Sequence, residues 1–178
     1  MIHTIRLDRI LQDAVATPYH DLVTRPTGAA VRNGVVDAMT LAQCAIAVLD
    51  FSDVGLLDFS CADEVVAKLL LMMSAERYVL LTGLSEDHSE AIDHVLERHG
   101  LAVAALPRPG ETPFLLGPTS HEARVAFRHI HEDGPCTLSS LAGDLTWTFE
   151  QAARALEELN LHRLVRMDQG TYRPIPLQ

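Results

Sequence analysis

The stretch AIAVLDFSDVGLLDFSCADEVVAKLLLM, residues Ala45 to Met72, decides the fold. Its first residues, 45–49, form a short aliphatic run that is typical of a strand buried on both faces. From Ser60 onward the apolar residues recur at spacings of three and four, which predicts an amphipathic helix. A loop rich in aspartate, residues 50–58, joins the two. This order of strand, acidic loop and helix is half of a βαβ unit.

Predicted helices and strands alternate on both sides of this unit. Such alternation predicts an α/β fold with a mostly parallel sheet and right-handed crossovers. The predicted elements are a short helix (8–15), a brief strand ending at 22–23, a helix (29–41), a strand (78–81), a helix (86–99) closed by Gly100 and a strand (101–106).

A proline-rich segment, 107–118, marks the predicted domain boundary. It holds four prolines and two glycines, which interrupt regular structure, although residues 114–116 favour an edge strand. We therefore expect an α/β domain over 1–117 and a second domain over 118–178. The second domain is predicted to contain three helices and then a hairpin, which is the order of elements in a small winged-helix domain.

Three short motifs carry a resemblance to a known family. They read TRPTG at 24–28, DFSDV at 50–54 and SCADE at 60–64. In this order they resemble the STAS domain of bacterial anti-sigma-factor antagonists, and more closely a STAS-like variant whose helix-start motif has Phe where this chain has Cys61. The resemblance covers roughly residues 20–116. The second domain is similar in outline to MarR-like winged helices.

The resemblance implies a function in regulation by protein contact. Anti-sigma-factor antagonists act by partner switching and perform no chemistry of their own on the partner. By resemblance, the partner of this chain is an anti-sigma factor or an ATP-binding regulatory kinase. We therefore expect a non-enzymatic regulatory protein.

Composition and charge exclude several classes of protein. The 178-residue chain has 14 Lys or Arg against 24 Asp or Glu, a formal net charge of −10, so it lacks the basic footprint of a typical nucleic-acid-binding protein. Its three cysteines are far apart, which argues against a disulfide framework and favours a reducing cytoplasm. The N-terminal segment is charged, so we expect no signal peptide. The sequence has no long apolar run, so we expect no membrane partner.

Ser60 is the candidate phosphorylation site, because it opens the predicted helix beside Asp58. In the STAS resemblance, however, Phe59 occupies the phosphoacceptor position, and Asp58 and Asp63 would repel a phosphate. The alternative is that Ser60 is the helix N-cap. We expect the acidic loop and the helix start to bind a partner protein, since an acidic face speeds association with a basic partner. The predicted partner-binding residues are Asp53, Asp58, Ser60, Asp63 and Glu64.

The segment 24–28 has two interpretations. As a turn before a helix, it presents backbone N–H groups that can hold an anion. As a structural turn, it lets Arg25 pair with an aspartate of the loop 50–58 and lock the helix against the sheet. The residues concerned are Thr24, Arg25, Thr27 and Gly28.

The sequence contains no residue spacing that is typical of a catalytic or metal-binding site. The nine histidines do not fall at the i, i+4 spacing of a zinc helix, and no nucleophile has a predicted base beside it. We expect no cofactor, no metal and no enzymatic activity. Whether the chain forms a homodimer is left open.

The predicted winged helix raises an alternative function, transcriptional regulation by DNA binding with the STAS-like domain as a sensor or dimer interface. Its third helix, which Thr148 and Gln151 would begin with a capping box, exposes more acids than bases, whereas the hairpin has a modest basic rim. The candidate DNA-binding residues are Gln151, Arg154, Arg163, Arg166 and Arg173.

Overall fold

A five-stranded sheet lies at the centre of the computed structural model, which describes residues 1–16, 19–107 and 111–176. The strands lie side by side in chain order; the first four are parallel, and the fifth pairs antiparallel with the fourth. The predicted α/β class and mostly parallel sheet are thereby confirmed. The strands are β1 (Ile2–Arg6), β2 (Ile46–Asp50), β3 (Tyr78–Thr82), β4 (Val103–Leu106) and β5 (Phe114–Leu116).

The helices that connect the parallel strands all pack on one face of the sheet. Right-handed crossovers between strands in chain order place every connecting helix on the same side. The core on this face joins Ala47 and Leu49 of β2 to Val35, Val65 and Ile92 of the helices. These helices are α1 (Leu7–Val15), α2 (Arg25–Leu41), α3 (Phe59–Ala62), a π-helical segment (Asp63–Lys68), α4 (Leu69–Met72) and α5 (Glu86–His99). We call α3, the π segment and α4 together the central helix, residues 59–72.

The C-terminal elements cover the other face of the sheet. Val48 and Leu80, which alternate with the inward residues of the first face, share a buried cluster with Phe127 and Leu156. We call residues 118–176 the C-terminal unit. It contains α6 (His121–Glu132), β6 (Cys136–Thr137), α7 (Leu138–Asp144), α8 (Phe149–Leu161), β7 (Arg166–Asp168) and β8 (Thr171–Arg173), with the strands in the antiparallel order β6-β8-β7.

The predicted boundary at 117/118 therefore lies between elements that share one hydrophobic cluster. The division into two domains stays a prediction. The expected edge strand is confirmed as β5, and residues 108–110 of the proline-rich segment, like 177–178 at the end of the predicted second domain, lie outside the described residues.

Several local predictions are confirmed. Gly100 ends α5 in the left-handed conformation, with φ 62°. Thr148 and Gln151 form the expected capping box at the start of α8. The hairpin of β7 and β8 turns where Gln169 and Gly170 both have positive φ, as a tight two-residue hairpin requires.

Two predictions near the start of the chain are wrong. The segment 22–23 makes only an isolated bridge between Leu22 and Leu57 and is not a strand. Residues 25–28 are the first turn of α2, whereas the sequence pattern predicts a helix that begins at Ala29. Proline is favoured in a first helical turn, because its missing N–H would be unpaired there in any case. The first strand, β1, was not predicted, since only Ile5 of its residues is fully buried.

Gly28 lets α2 and the central helix approach closely. A Cβ atom on Gly28 would lie 2.9 Å from the Cα of Cys61, which is backbone and cannot move aside cheaply. By contrast, a Cβ on Gly143, in α7, would meet nothing within 4 Å. Gly28 and Gly143 are therefore a matched pair for substitution by alanine, since one is tightly packed and the other is not.

We expect Gly28→Ala to lower the free energy of unfolding by about 1–3 kcal/mol, because the added methyl group overpacks the contact with Cys61. Gly143→Ala should raise it by about 0.5–1 kcal/mol, because alanine loses less chain entropy in a helix. Urea denaturation of both variants measures the difference. Equal effects of the two changes would contradict the close packing at Gly28.

Candidate functional site

The central helix begins at Asp58. The Asp58 carboxylate accepts hydrogen bonds from the backbone N–H of Cys61 at 2.7 Å and from the hydroxyl of Ser60 at 2.8 Å. Its second oxygen accepts one from the backbone N–H of Thr24 at 2.8 Å. Burial alone would raise the pKa of Asp58, but these hydrogen bonds outweigh it and lower the pKa below the usual range. Asp58 is thus the N-cap, and the interpretation of Ser60 as the cap is wrong.

Ser60 is half-buried in the first turn of the helix. Since its hydroxyl already donates to Asp58, a phosphate on Ser60 would meet that carboxylate directly. Phosphorylation of Ser60 stays a prediction. Incubation with candidate kinases followed by intact-mass measurement tests it, with Ser60→Ala as the control.

The segment 24–28 docks the start of α2 onto the central helix. The Cys61 thiol donates to the carbonyl oxygen of Thr24 at 3.0 Å, and the hydroxyls of Thr24 and Thr27 are 3.1 Å apart. Arg25 does not pair with the loop aspartates. It donates to Asp63 at 2.7 Å and to Glu64 at 2.8 Å, both on the central helix. Anion binding by this segment stays a prediction.

Glu64 is the centre of a cluster of charged side chains. Its side chain is only 3% exposed, yet it contacts Arg25, Arg32 and Lys68. The neighbouring Asp63 contacts Arg25, and its other oxygen lies 2.7 Å from a histidine ring nitrogen. We call this group the ion cluster; its members are Arg25, Arg32, Asp63, Glu64, Lys68 and His99.

The cluster keeps its two carboxylates ionised. Burial by itself would raise the pKa of Glu64, but the hydrogen bonds from Lys68 and Arg25 and the charge of Arg32 hold it below its usual value. The pKa of Asp63 is lowered in the same way: burial opposes ionisation, and the hydrogen bonds to Arg25 and His99 outweigh it. A buried carboxylate with three cationic neighbours is a structural element that ties α2 to the central helix.

The acidic residues predicted to bind a partner are therefore largely engaged in hydrogen bonds and salt bridges within the chain. Asp58, Asp63 and Glu64 have the internal contacts just described, and Asp53 forms a salt bridge with Arg6. What the same region offers to a partner is apolar: Leu56 is 64% exposed and Phe59 is 54% exposed.

A strip of α5 extends this exposed region. The ring of His94 lies against that of Phe59, with centroids 4.6 Å apart. Asp87 and Glu90 share the exposed face of His94, because they precede it by seven and four residues on the same helix. In the part of the chain that the structure describes, neither carboxylate lies within salt-bridge distance of a cation. We call Leu56, Phe59, Asp87, Glu90 and His94 the docking face.

The loop before the central helix is held firmly against α5. The ring nitrogen Nε2 of His88 lies 2.6 Å from the carbonyl oxygen of Gly55, and His88 is only 4% exposed. On the other side, the backbone N–H of Leu56 donates to Asp21 at 2.8 Å. Leu56 is thus presented on an ordered loop. Sequence reasoning noted Phe59 but missed its pairing with α5, since no local pattern relates the two.

The candidate DNA-binding residues do not form one surface. Gln151 caps α8 by accepting from the backbone N–H of Thr148 at 3.0 Å. Arg154 is 70% exposed and lies 3.9 Å from Glu150. Arg166 and Arg173 are exposed and directly opposite each other on the hairpin.

Arg163 is not on the basic rim of the hairpin. Its guanidinium donates to the backbone carbonyls of Leu70 at 2.8 Å and of Met73 and Ser74 at 2.9 Å each. Leu70 lies in the last turn of the central helix, and Met73 and Ser74 directly follow it. Carbonyls in a last helical turn have no partner within the helix. Arg163 therefore fixes the C-terminal unit to the end of that helix, and its assignment to DNA contact is corrected. Burial lowers the pKa of its guanidinium.

The Cys61 thiol is held in its neutral form. Burial, with the negative charge of Asp58, raises the pKa of the Cys61 thiol to about 12, so the thiolate nucleophile is not formed. Within residues 1–16, 19–107 and 111–176, no group of three or more His, Cys, Asp or Glu side chains is placed to hold a metal ion. Among the same residues, no helix is long and apolar enough to cross a bilayer.

Comparison with protein-family models, with curated proteins and with solved structures finds no match to this chain. The resemblance to STAS-like and winged-helix domains therefore stays a prediction, as does the cytoplasmic location.

We expect Glu64→Gln to lower the free energy of unfolding by about 2 kcal/mol at neutral pH, because the cations around Glu64 lose their central carboxylate. The lowered pKa of Glu64 stabilises the fold above the unfolded-state pKa of about 4, and this contribution is lost as the pH falls through the folded-state pKa. Stability of the variant should therefore fall less steeply below about pH 5 than that of the natural chain. Urea denaturation across pH measures this. Glu157→Gln, an exposed change on α8, is the control, and parallel curves for Glu64→Gln and the natural chain would contradict the assignment.

Proposed function

We propose that this protein is a non-enzymatic regulator that acts by binding another protein through the docking face. The observation that carries this proposal is the exposed pair Leu56 and Phe59 on an ordered loop and helix start, with Phe59 against His94 of α5, the helix that also carries Asp87 and Glu90. Apolar side chains surrounded by charge are the usual anatomy of a protein interface.

The face indicates the chemistry of the partner. An apolar side chain would cover Phe59 and Leu56, and Lys or Arg residues around it would meet Asp87 and Glu90. The formal net charge of −10 would speed association with such a basic partner by electrostatic steering. By the resemblance in the motifs at 24–28, 50–54 and 60–64, we propose an anti-sigma factor or an ATP-binding regulatory kinase, with partner switching as the mode of action.

The finer fold assignment belongs to the same proposal. The strand, acidic loop and helix of residues 46–72 support a STAS-like domain. The C-terminal unit runs helix, short strand, two helices and hairpin, with the short strand paired to the hairpin. That order supports a winged helix, which we propose serves as a docking or dimerisation module.

Replacement of Phe59 tests the docking face. We expect the full-length chain to retain a specific protein from an extract of its source organism, and the purified partner to bind Phe59→Asp about 30-fold more weakly or worse, since central aromatic residues dominate interfaces. Calorimetric titration measures the affinities. Aspartate is favoured at a helix start, so the variant should fold.

Phe149→Asp is the matched control, because Phe149 is 61% exposed and also opens a helix, α8. It should bind within about twofold of the natural chain. Equal losses for the two variants, or no protein retained even at low salt, would contradict the proposal.

A second candidate function is DNA binding by the C-terminal unit. The observation that favours it is the opposed, exposed pair Arg166 and Arg173 on the hairpin, the position of a wing. Against it, Arg163 is engaged elsewhere, and Glu150 and Glu157 are exposed on α8.

If this second function holds, a mobility-shift assay with duplex DNA should show binding at about 50 mM salt that falls steeply by about 200 mM. Replacing both Arg166 and Arg173 with Ala should lower the slope of log affinity against log salt by about 1–2, since each arginine that neutralises a phosphate adds about one unit to that slope. Arg98→Ala, on α5, is the control and should leave the slope unchanged. The absence of a shift at the lowest salt removes this function.

A further inference from the structure

The central helix connects two anchored ends. At its start, Asp58 caps it and accepts from Thr24, beside the docking face. At its end, Arg163 of the C-terminal unit donates to the carbonyl of Leu70, in the last turn, and to those of Met73 and Ser74, the two residues that follow the helix. The residues that accept from Arg163 are 89, 90 and 93 positions away along the chain. One helix is therefore the direct physical path between the docking face and the C-terminal unit.

The middle of this helix contains a π turn. Residues 63–68 form a π turn, which takes up one residue more than an α turn. Conversion of this turn to α geometry would displace α4 by one residue, a rise of about 1.5 Å and a rotation of about 100°. The guanidinium of Arg163 presents its donors in a rigid plane, so it matches its carbonyls in one register only. The contact therefore fits the register that the π turn sets.

The ion cluster holds the π turn in place. Glu64 and Lys68 both lie within the turn and contact each other, and Arg25 and Arg32 of α2 contact Glu64 from outside. The segment at the start of α2 also contacts Asp58 and Cys61 at the start of the central helix. A change at the helix start therefore reaches the π turn through α2 as well as along the helix itself.

We infer that the central helix couples the docking face to the C-terminal unit: a change at the Asp58 cap shifts the π turn, and the Arg163 contact with Leu70, Met73 and Ser74 is released. The identity of the signal as partner binding rests on the proposed function. The coupling itself does not, and it is measured on the full chain alone. By linkage, release of Arg163 must in turn loosen the π turn.

Hydrogen exchange of the full-length chain, followed by mass spectrometry, tests this from both ends. We expect Asp58→Ala to speed exchange of residues 162–165 about fivefold or more beyond any change in β2, which reports global opening. The amides of His162, Arg163 and Leu164 donate to carbonyls of α8 in the natural chain, so their exchange is protected and can be accelerated. We expect Arg163→Lys, which keeps the charge and removes the planar donors, to speed exchange of residues 63–68 by a similar factor.

Matched controls separate coupling from local damage. Ser85→Ala removes a comparable N-cap from α5, and Arg154→Lys makes the same change at an exposed site on α8. Neither should alter the distant segment. Effects of Asp58→Ala confined to residues 24–28 and 58–62, together with effects of Arg163→Lys confined to the C-terminal unit, would overturn the inference. If Asp58→Ala fails to fold, Asp58→Asn and the Arg163→Lys arm decide the result. Failure of the Phe59 binding test would leave this result unaffected.

Discussion

A parallel sheet that must be covered on both faces is the constraint on which this structure depends. Consecutive strands in chain order, joined by right-handed crossovers, place all their helices on one side. Val48 and Leu80 then point to the opposite side and would be left in water. The C-terminal unit covers them, so its helices pack into the same cluster as the strands. Its firm position on the sheet follows from burial of that second face.

The positions of the charged residues follow from a second constraint of burial, the need of a buried carboxylate for cationic partners. The chain has few cations, and a buried carboxylate such as Glu64 needs several of them. Arg25, Arg32 and Lys68 are all placed around it, which leaves Asp87 and Glu90 of α5 without salt-bridge partners among the described residues. Internal pairing therefore decides which part of an acidic chain faces a partner. Here it moves the candidate docking surface from the acidic side chains of the loop and helix start to Leu56, Phe59 and the adjacent strip of α5.

Much of the fold could be predicted from local pattern, and most of the site could not. Strand β2 and helix α5 are predicted to within a residue, because their apolar spacing and the glycine after α5 are local signals. The first turn of α2 escapes prediction, since proline and glycine usually break helices. Pro26 is acceptable because it lies in the first turn, and Gly28 is suitable because Cys61 packs too closely for a side chain. The sequence pattern favours Ser60 as the cap, whereas the carboxylate two residues earlier reaches the free N–H groups.

The sequence by itself determined most of the elements and their order, because periodicity, caps and turns act over a few residues. Tertiary structure decided what each charged residue does. Arg25 finds its acids 38 and 39 residues away, and Arg163 finds the carbonyl of Met73 90 residues away. No local pattern encodes such distances. The physical reason is that a long, flexible arginine takes its role from whichever buried acceptors the packed core brings within reach.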